Sequence, residues 1–151
     1  MNSFVGLPHR YEIFLKKKNI TFINDSKATT FEATKQALSS SKNIYWILGG
    51  LPKKNDKIIL KDINDNIIKA YLIGKNTNFF KKQVKNKIDF SVSNNLQNSI
   101  IKIIKDIKSF NKKKNIILLS PAAASYDQFL NFEKRGNEFK KWSKFYARKY
   151  I

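Results

Sequence analysis

The sequence of 151 residues has the length and composition of one globular domain, with 42% hydrophobic and 13% aromatic residues. It contains no cysteine and one histidine, which excludes disulfides and thiolate ligands and all but excludes a structural zinc site. Thirty Lys and Arg against eleven Asp and Glu give a net charge of +19, which would attract phosphate, acidic substrates or nucleic acid. We expect a single domain over residues 1–151.

Residues 1–6 (MNSFVG) lack a basic segment followed by an apolar one, so we expect no export signal. No stretch approaches the roughly 18 apolar residues that span a bilayer. The sequence therefore predicts a soluble, cytoplasmic protein without a membrane partner.

Six short runs predict strands, and the first two are close enough to form an antiparallel pair. In chain order they are residues 11–15, 20–23, 44–48, 68–73, 90–92 and 115–119. The run at 44–48 is continuously apolar and is followed by Gly49 and Gly50, as expected of a buried strand that ends in a tight turn with positive φ.

Helices are predicted between these strands. Thr29 and Glu32 fit a capping box, which predicts a helix from there to about Leu38. Apolar residues recur at helical spacing over residues 96–110. A final helix is predicted from about Glu138, with core positions at Phe139, Trp142 and Phe145.

The alternation of strands and helices predicts an α/β fold: a mostly parallel, Rossmann-like sheet with an initial antiparallel strand pair and helices on both faces. In such sheets ligands bind beyond the carboxyl ends of the strands. Small and polar residues follow three of the predicted strands there, at 24–27, 49–50 and 120–121. These positions are the candidate ligand edge.

Four separated motifs have the order and spacing found in one known family. They are GLPHR at residues 6–10, NDSKAT at 24–29, GGLPK at 49–53, and LSPAAASYDQF at 119–129 continued by NFE at 131–133 and RG at 135–136. Together they resemble the C-terminal domain of the D-glutamate-adding ligases of the Mur ligase family, over essentially the whole chain. Two positions depart from the family pattern: Thr30 stands where Asn is usual, and Ala123 where Cys is usual.

The resemblance implies an ATP-dependent, ADP-forming ligase of peptidoglycan precursor synthesis. Such enzymes phosphorylate the carboxylate of UDP-N-acetylmuramoyl-L-alanine, and the amine of D-glutamate then attacks the acyl phosphate. Two further domains normally precede this one, for the UDP-sugar and for ATP and Mg²⁺. The sequence contains no Gly-x-x-x-x-Gly-Lys-[Ser/Thr] phosphate loop. We therefore expect this chain to bind and position its ligands but not to catalyse alone.

The resemblance also assigns site residues. The D-glutamate site would comprise Lys27, Thr29, Lys53, Ser125, Tyr126 and Phe132. Arg10 and Asp25 would face the adenine nucleotide, Asp25 toward the ribose. No residue of this domain is assigned a catalytic or metal-binding role, and Lys54 follows Lys53 so closely that either ammonium group could face the ligand.

Two alternatives remain open at this stage. His9 is as well explained by a turn whose histidine is satisfied by the backbone as by a functional role. The net charge of +19 and the aromatic residues interleaved with lysine also fit a non-enzymatic module that binds nucleic acid or another polyanion.

Overall fold

The computed structural model describes residues 7–151, so Gly6 and the rest of the N-terminal segment considered above lie outside the described residues. The strands are β1 (Glu12–Lys17), β2 (Ile20–Asn24), β3 (Ile44–Leu48), β4 (Ile67–Ile73), β5 (Phe90–Asn94) and β6 (Asn115–Leu119). The helices are α1 (Phe31–Ser39), α2 (Thr77–Val84), α3 (Leu96–Phe110) and α4 (Phe132–Tyr150), with one 3-10 turn at Asn64–Asn66.

All six strands form one sheet in the order β1-β2-β6-β3-β4-β5. Only the β1–β2 pair is antiparallel, and a two-residue connection joins those strands. The other neighbours pair in parallel, including β2 with β6 and β6 with β3. The predicted α/β architecture is confirmed.

Each face of the sheet carries its own hydrophobic core, because successive side chains of a strand point to opposite faces. In β3, Trp46 and Leu48 pack in the cluster that includes side chains of α1 and α2. Tyr45 and Ile47 pack in the cluster that includes side chains of α3 and α4. All four residues are fully buried, which explains why this strand has a continuously apolar sequence.

Helix α1 begins one residue later than the capping-box pattern predicted. The N-cap is Thr30, which has extended backbone angles and whose Oγ1 accepts from the amide of Ala33 at 3.4 Å. Thr29 therefore lies before the cap. The amide of Phe31 donates to the Asp56 carboxylate at 2.9 Å, so a distant loop completes the helix start.

Helix α4 begins six residues earlier than predicted, at Phe132 rather than near Glu138. Asn131 is its N-cap and accepts from the amide of Lys134 at 2.7 Å. The prediction that Phe145 belongs to the core is wrong. Its side chain is 47% exposed, whereas Phe139 is fully buried.

Candidate functional site

The carboxyl ends of β2, β6 and β3 lie side by side, and the loops that follow them are joined by backbone hydrogen bonds. The amide of Asp25 donates to the Leu119 carbonyl at 2.7 Å, and the amide of Gly49 donates to the Pro121 carbonyl at 3.0 Å. The predicted ligand edge is thus one connected surface.

Asp25 is held at this edge by two donors. Its Oδ1 accepts from the Tyr11 amide at 2.9 Å, and its Oδ2 accepts from the Ser120 hydroxyl at 2.7 Å. The Ser120 carbonyl in turn accepts from the Trp46 indole nitrogen at 2.7 Å. The carboxylate therefore has a fixed orientation, and each oxygen keeps a further lone pair for a ligand.

Burial raises the pKa of Asp25. The hydrogen bonds from Ser120 and Tyr11 and the charge of Arg10 lower it, but by less. The Asp25 carboxylate therefore binds a proton more readily in the folded chain than in the unfolded chain. The stability that Asp25 contributes falls as the pH rises from its ordinary pKa of 3.8 through the raised value.

Asp25→Asn should accordingly be at least as stable as the unmodified chain at neutral pH, because no charge is buried and both hydrogen bonds can form. The amide oxygen still accepts from the Tyr11 amide, and the amide nitrogen can donate to the Ser120 hydroxyl oxygen, whose own proton can go to Thr34. Urea unfolding of both proteins between pH 4 and pH 7 would measure this. The advantage of the variant should grow with pH; an advantage that shrinks with pH would contradict the assignment.

A cavity of about 470 Å³ opens beside Asp25. Arg10, Asp25 and Lys27 line it, together with residues of α1 that include Glu32 and Ala33. The cavity thus combines a fixed carboxylate, cationic side chains and a helix face that carries both alanine and polar side chains.

Gly49 and Gly50 both have positive φ, near 135°, as the sequence predicted for this turn. A side chain at Gly50 would collide with the carbonyl oxygen of Ala124. This close approach allows Leu51 and Ala124 to pair through two backbone hydrogen bonds of 2.9 and 2.8 Å. The loops that carry Lys53 and Ser125 are therefore fixed against each other.

Lys53 begins a turn in which its carbonyl accepts from the Asp56 amide at 3.0 Å. The carboxylate of the same Asp56 accepts from the amide of Phe31, two residues after Thr29. The Lys53 turn is thereby attached to the segment that holds Thr29. The Lys53 and Lys54 side chains are both exposed.

Ser125, Tyr126 and Phe132 differ in their exposure. Ser125 is buried, whereas the Tyr126 side chain is 70% exposed. The Lys27 ammonium group lies 5.9 Å from the centre of the half-buried Phe132 ring, a cation–π distance. Lys27 and Phe132, from opposite ends of the chain, thus face each other.

Arg135 is a buried cation to which sequence reasoning gave no role, although it lies within the last motif. Its guanidinium donates to the Ser26 hydroxyl at 2.9 Å, the Ser26 carbonyl at 2.6 Å and the Ala123 carbonyl at 2.9 Å. Burial lowers its pKa to about 10, although the nearby Asp127 carboxylate acts to raise it. The side chain therefore stays charged at neutral pH. It ties the Asp25 turn to the loop that precedes Ser125.

His9 is explained by structure. It is buried, its Nδ1 lies 2.9 Å from the Asn24 side-chain amide, and its backbone amide donates to Glu12 at 3.1 Å. Its ring packs so closely on Gly136 that a Cβ there would collide with it. The hydrogen-bond partner of the His9 ring is thus the Asn24 side chain rather than the backbone of its turn.

The structure brings the predicted residues together in two groups. Arg10, Asp25 and Lys27 share the cavity, with Phe132 next to Lys27. The loops of Lys53 and Ser125 are paired, with the Thr29 segment attached. Arg135 and Asp56, which the sequence analysis missed, hold these groups in place.

No helix within residues 7–151 is long and apolar enough to cross a bilayer. Within the same residues, no group of three or more His, Asp or Glu side chains is placed to hold a metal ion.

Comparison with protein-family models found no match. Curated proteins, by contrast, match nearly the whole chain. The UDP-N-acetylmuramoylalanine–D-glutamate ligase of Wolbachia sp. subsp. Brugia malayi is 46% identical over 140 residues, which is 92% of this chain and 28% of that protein. Those of Rickettsia felis and Nitrobacter hamburgensis are 41% and 40% identical and are matched over 32% and 30% of their length. The chain thus spans about a third of the relatives it matches, and it belongs to the family of UDP-N-acetylmuramoylalanine–D-glutamate ligases.

Proposed function

We propose that this chain is the C-terminal, amino-acid-binding domain of an ADP-forming ligase that adds D-glutamate to UDP-N-acetylmuramoyl-L-alanine in the cytoplasm, during peptidoglycan precursor synthesis. One observation carries the proposal: the paired loops of Lys53 and Ser125 lie at the same sheet edge as the cavity lined by Arg10, Asp25 and Lys27. Two ligands can therefore be held next to each other.

The cavity is the proposed nucleotide subsite. The Asp25 carboxylate, fixed by Tyr11 and Ser120, accepts hydrogen bonds from ribose hydroxyls through its remaining lone pairs. Arg10 supplies a cation in the same cavity, suited to phosphate. Ala33 of α1, which also lines the cavity, offers an apolar contact for the base. ATP and ADP fit this combination of groups.

The paired loops and Lys27 form the proposed D-glutamate subsite. D-Glutamate carries two carboxylates, and the ammonium groups of Lys27 and Lys53 provide one charge-assisted partner for each. The hydroxyls of Thr29 and Ser125 add neutral donors, while Tyr126 and Phe132 border the site. The task of this arrangement is to orient the amine for attack, which contributes through positioning rather than bond chemistry.

ATP and Mg²⁺ supply the phosphoryl-transfer chemistry of the proposed ligase. The triphosphate and the metal ion are assigned mainly to the parts of the relatives that this chain does not span. UDP-N-acetylmuramoyl-L-alanine is assigned to those parts as well. Closure of this domain over the nucleotide would then exclude water from a hydrolysable acyl phosphate.

A chimeric ligase tests the proposal. In it, this chain replaces the matching 28% of the Wolbachia relative. The chimera should release ADP only when D-glutamate and UDP-N-acetylmuramoyl-L-alanine are both present, and L-glutamate should not replace D-glutamate. The isolated chain, given ATP, Mg²⁺ and both substrates, should release no ADP. A folded chimera without D-glutamate-dependent turnover, or ligase-like turnover by the isolated chain, would contradict the proposal.

A further inference from the structure

Helix α4 carries a row of aromatic side chains on its outer side, apart from the candidate functional site. We call these residues the α4 aromatic strip: Trp142, Phe145, Tyr146 and Tyr150. Phe145 is 47% exposed and Tyr150 37% exposed, while Trp142 and Tyr146 pack partly against the core. The strip extends roughly 12 Å along the helix, at 1.5 Å per residue. Leu130, which is 81% exposed, shares a surface hollow with Trp142 and extends the apolar surface.

The charge around the strip is mostly positive. Exposed basic side chains flank it at Lys141, Lys144, Arg148 and Lys149, and the sequence contains no Asp or Glu after Glu138. Glu138 itself lines the hollow of Trp142 and Leu130, where it is paired with Lys134 at 3.5 Å. Lys108 of the neighbouring helix α3 reaches the end of the strip, where its ammonium group donates to the Tyr150 carbonyl at 2.6 Å. This face therefore matches an anionic partner.

The ring arrangement distinguishes between anionic partners. Trp142 stacks on Tyr146, and Tyr146 stacks on Tyr150, with ring centres 5.8 and 6.0 Å apart and interplanar angles of 25° and 9°. Lysine ammonium groups also lie over rings of the strip, with Lys141 4.8 Å from the Trp142 ring centre and Lys149 5.4 Å from that of Tyr150. The rings thus already contact one another and lysine cations, which leaves them less available to stack on nucleic acid bases.

We propose that the α4 aromatic strip lies against the surface of an anionic lipid bilayer, with its rings at headgroup level and the flanking cations on lipid phosphates. An apolar and aromatic helix face bordered by Lys and Arg is the pattern of a helix that lies in the plane of a membrane interface. Tyrosine and tryptophan suit this depth because each combines an apolar ring with a polar group. We expected no membrane partner because the sequence has no segment long enough to span a bilayer. Binding at the membrane surface does not require such a segment.

Vesicle binding tests the proposal on the 151-residue chain, and Trp142 provides the readout. The sequence has two tryptophans, and Trp46 is fully buried in the core, so quenching by brominated lipid reports on Trp142. Vesicles containing about 30% phosphatidylglycerol should bind the chain and quench Trp142, and pure phosphatidylcholine vesicles should bind it at least about tenfold more weakly.

Matched variants locate the contact. Arg148→Gln with Lys149→Gln should weaken binding by roughly 25-fold, about fivefold for each charge near an anionic surface. Lys81→Gln with Lys82→Gln removes the same charge from exposed positions on α2, at the opposite face of the sheet, and should change binding by less than about twofold. Phe145→Ser with Tyr150→Ser should lower binding by about tenfold or more while leaving circular dichroism unchanged.

The assignment would be overturned by equal losses for the two charge pairs, by unchanged binding when the aromatic residues are replaced, or by vesicle binding without quenching of Trp142. Tight binding of single-stranded DNA in the absence of vesicle binding would also overturn it and would favour a nucleic acid as the partner.

Discussion

Gly50→Ala is expected to lower the free energy of unfolding by roughly 3 kcal/mol, which combines left-handed backbone strain with the displacement of a packed loop. Gly50 has φ of 134°, and a Cβ there would strike the backbone oxygen of Ala124. The two hydrogen bonds between Leu51 and Ala124 would have to open to make room. Urea unfolding followed by far-ultraviolet circular dichroism would measure the loss.

Gly74→Ala is the matched control. Gly74 also has positive φ, 88°, but the first group its Cβ would meet is the Asp127 carboxylate, which belongs to a side chain and can turn away by giving up its exposed hydrogen bond from the Lys75 amide. This variant should lose less, about 1–2 kcal/mol, the typical cost of a left-handed alanine with at most a small addition for that exposed hydrogen bond. Equal losses at Gly50 and Gly74 would mean that backbone strain alone, and not the contact with Ala124, makes glycine necessary at position 50.

Lys53→Ala, in the chimeric ligase, should raise the KM for D-glutamate by about 10- to 100-fold, the range for losing one hydrogen bond to a charged group. The KM for ATP should change by less than about threefold, because the cavity assigned to the nucleotide is lined by Arg10, Asp25 and Lys27 and not by Lys53. Steady-state kinetics with each substrate varied in turn would show the difference.

Lys54→Ala serves as the control for Lys53→Ala, since both side chains are exposed and adjacent in one turn. It should leave the KM for D-glutamate within about threefold of the original value. A larger increase in the KM for D-glutamate at Lys54 than at Lys53 would mean that Lys54, and not Lys53, contacts the amino acid. Equal increases in the KM for D-glutamate and for ATP would refute an amino-acid-binding role for Lys53.

Much of the fold was predictable because its signals are local. The continuous apolar run of β3 ends in two glycines, and the structure places a buried strand and two positive φ angles there. The amphipathic pattern over residues 96–110 corresponds to α3 without error at either end. Periodicity failed at α4 because this helix has a second apolar row, and sequence alone does not show that Phe139 faces the core while Phe145 faces outward.

The supporting residues of the site were not predictable because their partners are distant in the chain. Arg135 contacts Ser26, 109 residues earlier, and Asp56 contacts the Phe31 amide, 25 residues earlier. Gly136 is a poor helix former that lies inside α4. Its presence inside the helix is explained by the His9 ring, which leaves no room for a side chain.

The position of β6 has a consequence for how the chain folds during synthesis. This strand is the last of the six in the sequence, yet it pairs with β2 on one side and β3 on the other. Before residue 119 has emerged from the ribosome, the β1–β2 hairpin and the β3–β4–β5 segment have no strand to join them. Long-range pairing of this kind slows folding and leaves strand edges exposed meanwhile. Nascent chains that stop before β6 are therefore expected to remain sensitive to proteases, and protection should appear in one step once that strand is available.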